Sequence, residues 1–357
     1  MNAPTASTLL QLQNLPDIGE AMPFFAPASA DRAWHIFCAC LRRSMFVFAF
    51  TANAAWAQTY PVRSIEWVVP YPAGGGSDVV ARSLSDLMGK ALGQPIIVSN
   101  KPGAGTNIGA SYAAQAKADG YTLLTGDTAT LAANPTLYSN LNYSAQKDFV
   151  PIGLLARFPM VLVVNPAVPA TNLTEFLAWA KLQTAGVSYA SPGAGSPHHL
   201  TAELFRGKTG LNMVHVPYRG AAPAVQDVAG GQLPFMFVDT AAGMGFIQAG
   251  RLRPIGIASL ARVKNFENIP TLSEQGLKGF EAFAWQGLVA PTGTPPAIIV
   301  KLNKTLVDAL NTTSVKARFQ TLGLEATPGT PAQMASYASA EREKWAQVIR
   351  ASGIKLD

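Results

Sequence analysis

The sequence predicts an α/β protein with room for two domains, and three observations support this. Apolar runs of strand composition alternate with segments of helical spacing along most of the chain. Twice such a run ends in a glycine-rich turn that opens a helix, at residues 65–88 and again at residues 187–205. The 357 residues, 48% of them hydrophobic, can bury more core than one domain usually holds. The formal charge of +6 comes from scattered lysines and arginines without a block of either. That pattern lacks the stripe a nucleic-acid partner requires and leaves only a mild pull on anions.

The first 57 residues stand apart from the rest. Arg42 and Arg43 precede a short apolar run from Met45 to Phe50, and small residues end at Ala55-Trp56-Ala57. A positive flank, an apolar centre and an Ala-x-Ala end make a secretory signal, with the cut expected between Ala57 and Gln58. The apolar run is too short for a membrane span. The long stretch before Met45 leaves an internal start such as Met22 open, and a disordered tail before a cytoplasmic enzyme is the competing reading. Cys38 and Cys40, the two cysteines of the chain, both precede the cut. The mature chain would then carry no disulfide, no thiolate nucleophile and no cysteine metal site, which suits an exported protein.

The chain is organised around Ile65 to Asp78, IEWVVPYPAGGGSD. Ile65 to Val69 reads as a strand, Gly74, Gly75 and Gly76 as a turn, and Val79, Val80, Leu84, Leu87 and Met88 as one helix face. Ser77 or Asp78 is the candidate cap. A turn of this kind lets a ligand approach the backbone, and the free N–H groups of a helix start suit a carboxylate or phosphate. An ordinary βα turn is the plain alternative. The loop lacks the lysine of a Walker loop and the glycine spacing of a dinucleotide site, so a small anion fits better than a nucleotide.

Further strands are expected at Pro95 to Val98, Tyr121 to Leu124, Phe149 to Leu155 and Met160 to Val164. A small-residue helix is expected over Ile108 to Ala118, and a proline-bearing connector over Asn134 to Tyr143. Thr171 or Asn172 caps a helix running through Leu182. Val187 to His198, VSYASPGAGSPH, repeats the opening logic of strand end, hydroxyls, glycines and helix start. Helix starts from two domains can face one anion. His198 and His199 lie about 100° apart on a helix and match no zinc pattern. They read as capping or bracing residues rather than metal ligands. Met213 to Val216 and Pro234 to Val238 are strands, the second ending in Asp239, which either contacts a ligand or caps the helix over Ala241 to Ala249. Trp285 floors the cleft or fills core. The helices from Pro295 and from Pro331 to Ile349 are expected to return to the sheet of the first domain. No Gly-x-Ser-x-Gly nucleophile elbow is present, which disfavours a hydrolase.

The run Val69-Pro70-Tyr71-Pro72-Ala73-Gly74-Gly75-Gly76-Ser77-Asp78 resembles the Bug family, the substrate-binding proteins of tripartite tricarboxylate transporters. So do Asn100 to Gly105, Asp119 to Leu123, Tyr189 to Gly193, His199-Leu200, His215 to Gly220, Pro270 to Gly276 and Ala290 to Pro295. The likeness covers essentially all of Gln58 to Asp357. It implies a two-lobed periplasmic-binding-protein clamshell, type II-like, each lobe a central mixed sheet flanked by helices. The lobes would comprise residues 58–160 with a return segment 283–357, and residues 161–282, behind the leader 1–57. It implies a periplasmic receptor, not an enzyme, that captures a small carboxylate or dicarboxylate and delivers it to a membrane permease. A chemosensory receptor signalling to a sensor kinase is the alternative, with a hydrolase behind it. No cofactor, metal or nucleic acid is expected, and the receptor is read as a monomer. The implied ligand residues in the first lobe are Tyr71, Ala73, Gly74, Gly75, Gly76, Ser77, Asp78, Thr125, Asp127 and Thr128. In the second they are Ser191, Gly193, Gly195, Ser196, His198 and Asp239. Asp78 is expected to cap or grip its loop rather than meet the ligand's charge, and an inward Asp127 would favour an amine-bearing ligand.

Overall fold

The computed structural model describes residues 60–264 and 266–356. The leader and the cut after Ala57 lie outside the described residues. Strand β1 (Ile65–Val69) leads through the glycine turn into helix α1 (Gly76–Leu92), then β2 (Ile96–Asn100), α2 (Asn107–Ala114) and β3 (Thr122–Asp127). A π-helical turn, Thr128–Ala133, follows β3, and the short α3 (Asn134–Leu137) opens the proline-bearing connector. Next come β4 (Phe149–Val164), α4 (Leu173–Lys181), β5 (Val187–Ser191), α5 (Pro197–Thr209), β6 (Met213–Pro217) and α6 (Ala221–Ala229). The chain continues with β7 (Phe235–Asp239), α7 (Thr240–Gln248), β8 (Arg253–Ile257), β9 (Phe283–Pro291), α8 (Pro296–Leu310), α9 (Thr313–Thr321), β10 (Glu325–Ala326) and α10 (Pro331–Ser352). No described helix is long and apolar enough to cross a membrane.

The strands run in the order β2-β1-β3-β9-β4-β7-β5-β6, with β8 and β10 also paired to β4. Neighbours β2, β1 and β3 are parallel, as are β7, β5 and β6, while β4 and β9 are antiparallel to their neighbours. Strand β4 joins the two halves. Residues Phe149 to Pro159 pair with β9, and from Met160 onward the strand pairs with β7 and β8. The two separate strands expected here are therefore one, which changes partner at Pro159 rather than stopping.

Alternation along β4 sends side chains to two faces. Val161 and Val163 pack with Val225, Val228, Met236 and Val238 beneath α6 and α7. Leu162 and Val164 join the largest cluster, with Phe176, Phe205, Phe237 and Phe280. Trp67, Leu84 and Met88 pack with Leu302, Leu306 and Phe319, so α1, α8 and α9 cover one face of the sheet around β1, α8 being the helix from Pro295 expected there. Helix α10 behaves differently. Its Met334, Trp345 and Ile349 join the cluster that runs under both halves. At roughly 1.5–3 kcal/mol per buried large side chain, this stripe fastens the two halves to one another.

Candidate functional site

The first glycine turn is exposed from Pro72 to Gly76, and the chain becomes buried at Ser77 and Asp78. Helix α1 starts at Gly76 with Gly75 as its N-cap, and no side chain caps it. The first N–H groups of a helix have no partner within it, so those of Gly76 and Ser77 point out of the start of α1 as free donors. The cap is thus a glycine where Ser77 or Asp78 was expected. Gly74 supplies the left-handed bend, at φ +82°. Asp78 grips the loop, accepting from the Gly74 N–H at 2.9 Å, Asn100 Nδ2 at 3.0 Å and Arg82 Nε at 2.9 Å. Burial pushes its carboxyl up, but Arg82, Gly74 and Asn100 together hold it below its ordinary value.

Ser77 Oγ accepts a hydrogen bond from Gln286 Nε2 at 2.7 Å. Gln286 lies on β9 directly across from Asp127 on β3. Its Oε1 is buried and unpaired among the described residues. The Phe158 ring closes the side of the turn, 3.3 Å from where a Cβ on Gly76 would stand. Asp127 caps the π-helical turn by accepting from the Thr130 N–H at 2.8 Å, and it also accepts from the Tyr71 hydroxyl. Burial raises both pKa values, that of Asp127 against the pull of its hydrogen bonds and that of Tyr71 with the help of the Asp127 charge. Thr125 and Thr128 are fully buried. The Thr125 hydroxyl accepts from Trp67 Nε1 at 2.8 Å, and that of Thr128 accepts from the Trp285 N–H at 2.9 Å. Both are bracing contacts beneath the site. Trp285 is buried edge-on against Tyr337, as core.

The second strand-end loop is satisfied by its own side chains. Ser196 caps α5 by accepting from the His199 N–H at 3.3 Å, and its hydroxyl donates to the Gly193 carbonyl at 2.7 Å. Ser191 Oγ accepts from the Gly193 N–H at 3.1 Å and lies 2.6 Å from His215 Nε2. His199 Nδ1 accepts from the Gly195 N–H at 3.0 Å, and its ring stacks on His215 at 3.8 Å. Burial, with His215 and Arg206 beside it, pushes the His199 pKa down to about 3, so the His199 ring is neutral at ordinary pH. His199 is the bracing histidine expected of this pair. His198 turns the other way, and its Nε2 meets Asp239 Oδ2 at 2.9 Å. Asp239 also caps α7 through the Ala242 N–H at 3.0 Å. No group of three His, Cys, Asp or Glu side chains among the described residues is placed to hold a metal.

Reading the sequence missed Gln286, Phe158 and the brace formed by His215. Gln286 and Phe158 reach the site only through the β3–β9–β4 register, which leaves no local signal. His215 sits in a recognisable strand but owes its role to a loop 24 residues earlier.

Known proteins of the same construction give the site its context. Residues 80–354 match the family described as tripartite tricarboxylate transporter family receptor. The chain is 38% identical to Protein BugT of Bordetella pertussis over 314 residues, which cover 87% of this chain and 96% of that protein. The solved structure of R. palustris Rpa4515 with adipate is similar at TM-score 0.77 and 32% identity, covering 83% of this chain and 99% of that one. MatC from Rhodopseudomonas palustris with bound malate is similar at TM-score 0.73 and 34% identity, covering 81% and 100%. The fold is the α/β clamshell of periplasmic binding proteins, with mixed sheets flanked by helices, and the family is one of receptors rather than catalysts. The chain belongs to the tripartite tricarboxylate transporter receptors, the TctC or Bug family of periplasmic solute-binding proteins.

Proposed function

We propose that this receptor captures a small carboxylated solute between its strand-end loops, with one carboxylate against Ala73 to Asp78, and delivers it to the membrane permease of a tripartite transporter. The observation that carries the reading is the uncapped start of α1. Backbone N–H groups, the helix dipole and the Ser77 hydroxyl together neutralise an anion there without a lysine or arginine between Ala73 and Asp78. The adipate and malate bound by two similar proteins are acids of this kind. The lobes divide near residues 160 and 283, a reading supported by the change of partner along β4 and by the start of β9 at Phe283. The receptor works as a monomer, closing on solute that touches both lobes.

A thermal-shift screen of the mature protein against C2 to C8 mono- and dicarboxylates tests the reading. A true ligand binds the folded state and raises Tm, by about 2.7 kcal/mol of stabilisation at a concentration 100 times Kd. Calorimetry then compares the hit with its methyl esters, and loss of binding on esterifying one carboxylate is the expected result. A screen in which no acid raises Tm, or in which every ester binds as well as its acid, overturns it.

A further inference from the structure

Gln286 stands on β9 opposite Asp127 of β3, and directly opposed residues of antiparallel strands project to the same face. Each reaches a different part of the first glycine turn. Asp127 is committed to the Tyr71 hydroxyl and the Thr130 N–H, whereas the Gln286 amide meets Ser77 Oγ through Nε2 at 2.7 Å. Gln286 is only 6% exposed, and its Oε1 meets no partner among the described residues. A buried amide kept for structure alone would pair both of its ends, because an unpaired acceptor costs stability. This amide instead serves a single hydroxyl at the open start of α1.

The direction of that bond decides what Ser77 can do. An amide nitrogen only donates, so Ser77 Oγ accepts and its own proton points elsewhere. Ser77 is the second residue of α1, and side chains in a helix tilt toward its start. The hydroxyl therefore lies beside the free N–H groups of Gly76 and Ser77. Had Gln286 presented Oε1, Ser77 would have given its proton to the amide and turned lone pairs on an anion. Presenting Nε2 leaves the hydroxyl a donor, of the same sign as the N–H groups next to it. A hydroxyl that accepts one hydrogen bond also donates the next more strongly.

We propose that Gln286 is a positioning residue for the solute carboxylate: by donating to Ser77 Oγ, it turns the Ser77 O–H toward the start of α1 as a further donor to that carboxylate. The proposal rests on the reading that one carboxylate sits there. Gln286 acts through Ser77 and does not touch the solute.

The test is a double-mutant cycle on the mature protein, read by calorimetry. The probe is the tightest binder among the straight-chain acids from acetate to octanoate and from oxalate to suberate. Ser77→Ala is expected to weaken its binding about tenfold, the worth of one hydrogen bond to a charged group. Gln286→Met keeps an unbranched side chain and removes the amide. It should weaken binding about three- to tenfold in the wild-type background and less than about twofold in the Ser77→Ala background. A merely structural Gln286, or one that touches the solute itself, would cost the same in both backgrounds, and that result would overturn the proposal. Tighter binding by Gln286→Met would overturn it too, since the amide would then be withholding the Ser77 proton. If Gln286→Met does not fold, Gln286→Asn, one methylene too short for Ser77, completes the cycle. Unchanged binding by Ser77→Ala would overturn the proposal whether or not either Gln286 variant folds, and would leave the carboxylate reading standing on the backbone N–H groups. If none of these acids binds the wild type, both readings fall.

Discussion

The two strand-end sites are built on one plan and finished differently. In each, a strand runs into a glycine loop and a helix, and a parallel neighbour ends in an aspartate that caps the next helical turn. Asp127 caps the turn after β3, and Asp239 caps α7. In each, a ring from the loop or from the first turn of its helix bonds that aspartate, Tyr71 in one case and His198 in the other. The difference lies at the helix start. Ser196 caps α5 with its own hydroxyl, and His199 and His215 brace the loop from behind, whereas α1 begins at Gly75 with no side-chain cap. A helix start that satisfies itself holds side chains in place, and one left open can receive an anion through its backbone. The start of α1 is thus the one left open to the proposed carboxylate, and the start of α5 is closed by its own side chains.

Making the first site resemble the second should have the largest effect. Gly75 has φ −77° and ψ 170°, an extended geometry that any capping residue adopts, and a Cβ there would lie an ordinary 3.6 Å from the Pro72 carbonyl. Gly75→Asp is expected to stabilise the fold by about 1 kcal/mol as an N-cap. Its carboxylate would occupy the donors intended for the solute and repel the solute's charge. Affinity should fall about 100-fold or more, the equivalent of about 2.7 kcal/mol. Opposite signs in Tm and Kd are the signature. A variant that binds as well as the wild type would show that the start of α1 is not the anion site.

A smaller effect separates the loops by packing. Gly195 has φ +75°, and a Cβ there would stand 2.7 Å from methyl carbons of Leu137 and Leu356. Gly74 has φ +82°, and a Cβ there would meet nothing within 4 Å. Gly74→Ala should cost about 1–2 kcal/mol for the left-handed backbone alone. Gly195→Ala adds the displacement of two leucine tips, for a total of about 2–4 kcal/mol. Urea unfolding of both variants checks this, and equal losses would mean that the second loop is no more tightly held than the first.

How much of the molecule is legible in the sequence depends on the range of the forces involved. The strand, glycine loop and helix units are legible because composition and spacing act locally, and Asp239 shows as an acid ending an apolar run. The cap of α1 lies two or three residues before its expected place, because Ser77 and Asp78 are good caps in general and here spend their side chains on Gln286 and on the loop. Thr125 reads as a ligand residue from its place at a strand end, yet its hydroxyl serves Trp67 across the sheet. Gln286 is invisible in the sequence, since only the pairing of β9 with β3 brings it beside Ser77 and Asp127. Helix α10 shows an apolar stripe, but a stripe does not name its partner, and this one lies under both halves.

The subtlest test sets the two capping aspartates against each other by pH. At Asp239 the folded pKa lies below the ordinary carboxylate value, because the His198 and backbone hydrogen bonds outweigh burial. Its stabilisation is therefore present above the ordinary value, near 3.9, and is lost as pH falls through the folded pKa. At Asp127 burial outweighs the hydrogen bonds, and the folded pKa is raised. The folded state then holds that proton more tightly than the unfolded chain, so Asp127 weighs against stability once pH rises past the ordinary value. Asn at either position keeps an oxygen to cap the next turn but does not titrate. The Asp239→Asn variant should lose stability relative to wild type at neutral pH, with the gap closing below about pH 4. Relative to wild type, Asp127→Asn should improve as pH rises from about 4 to about 7. Melting curves of the three proteins across pH 3 to 8 measure both slopes, and slopes of the same sign would mean that the Tyr71 and His198 partners do not distinguish the two acids.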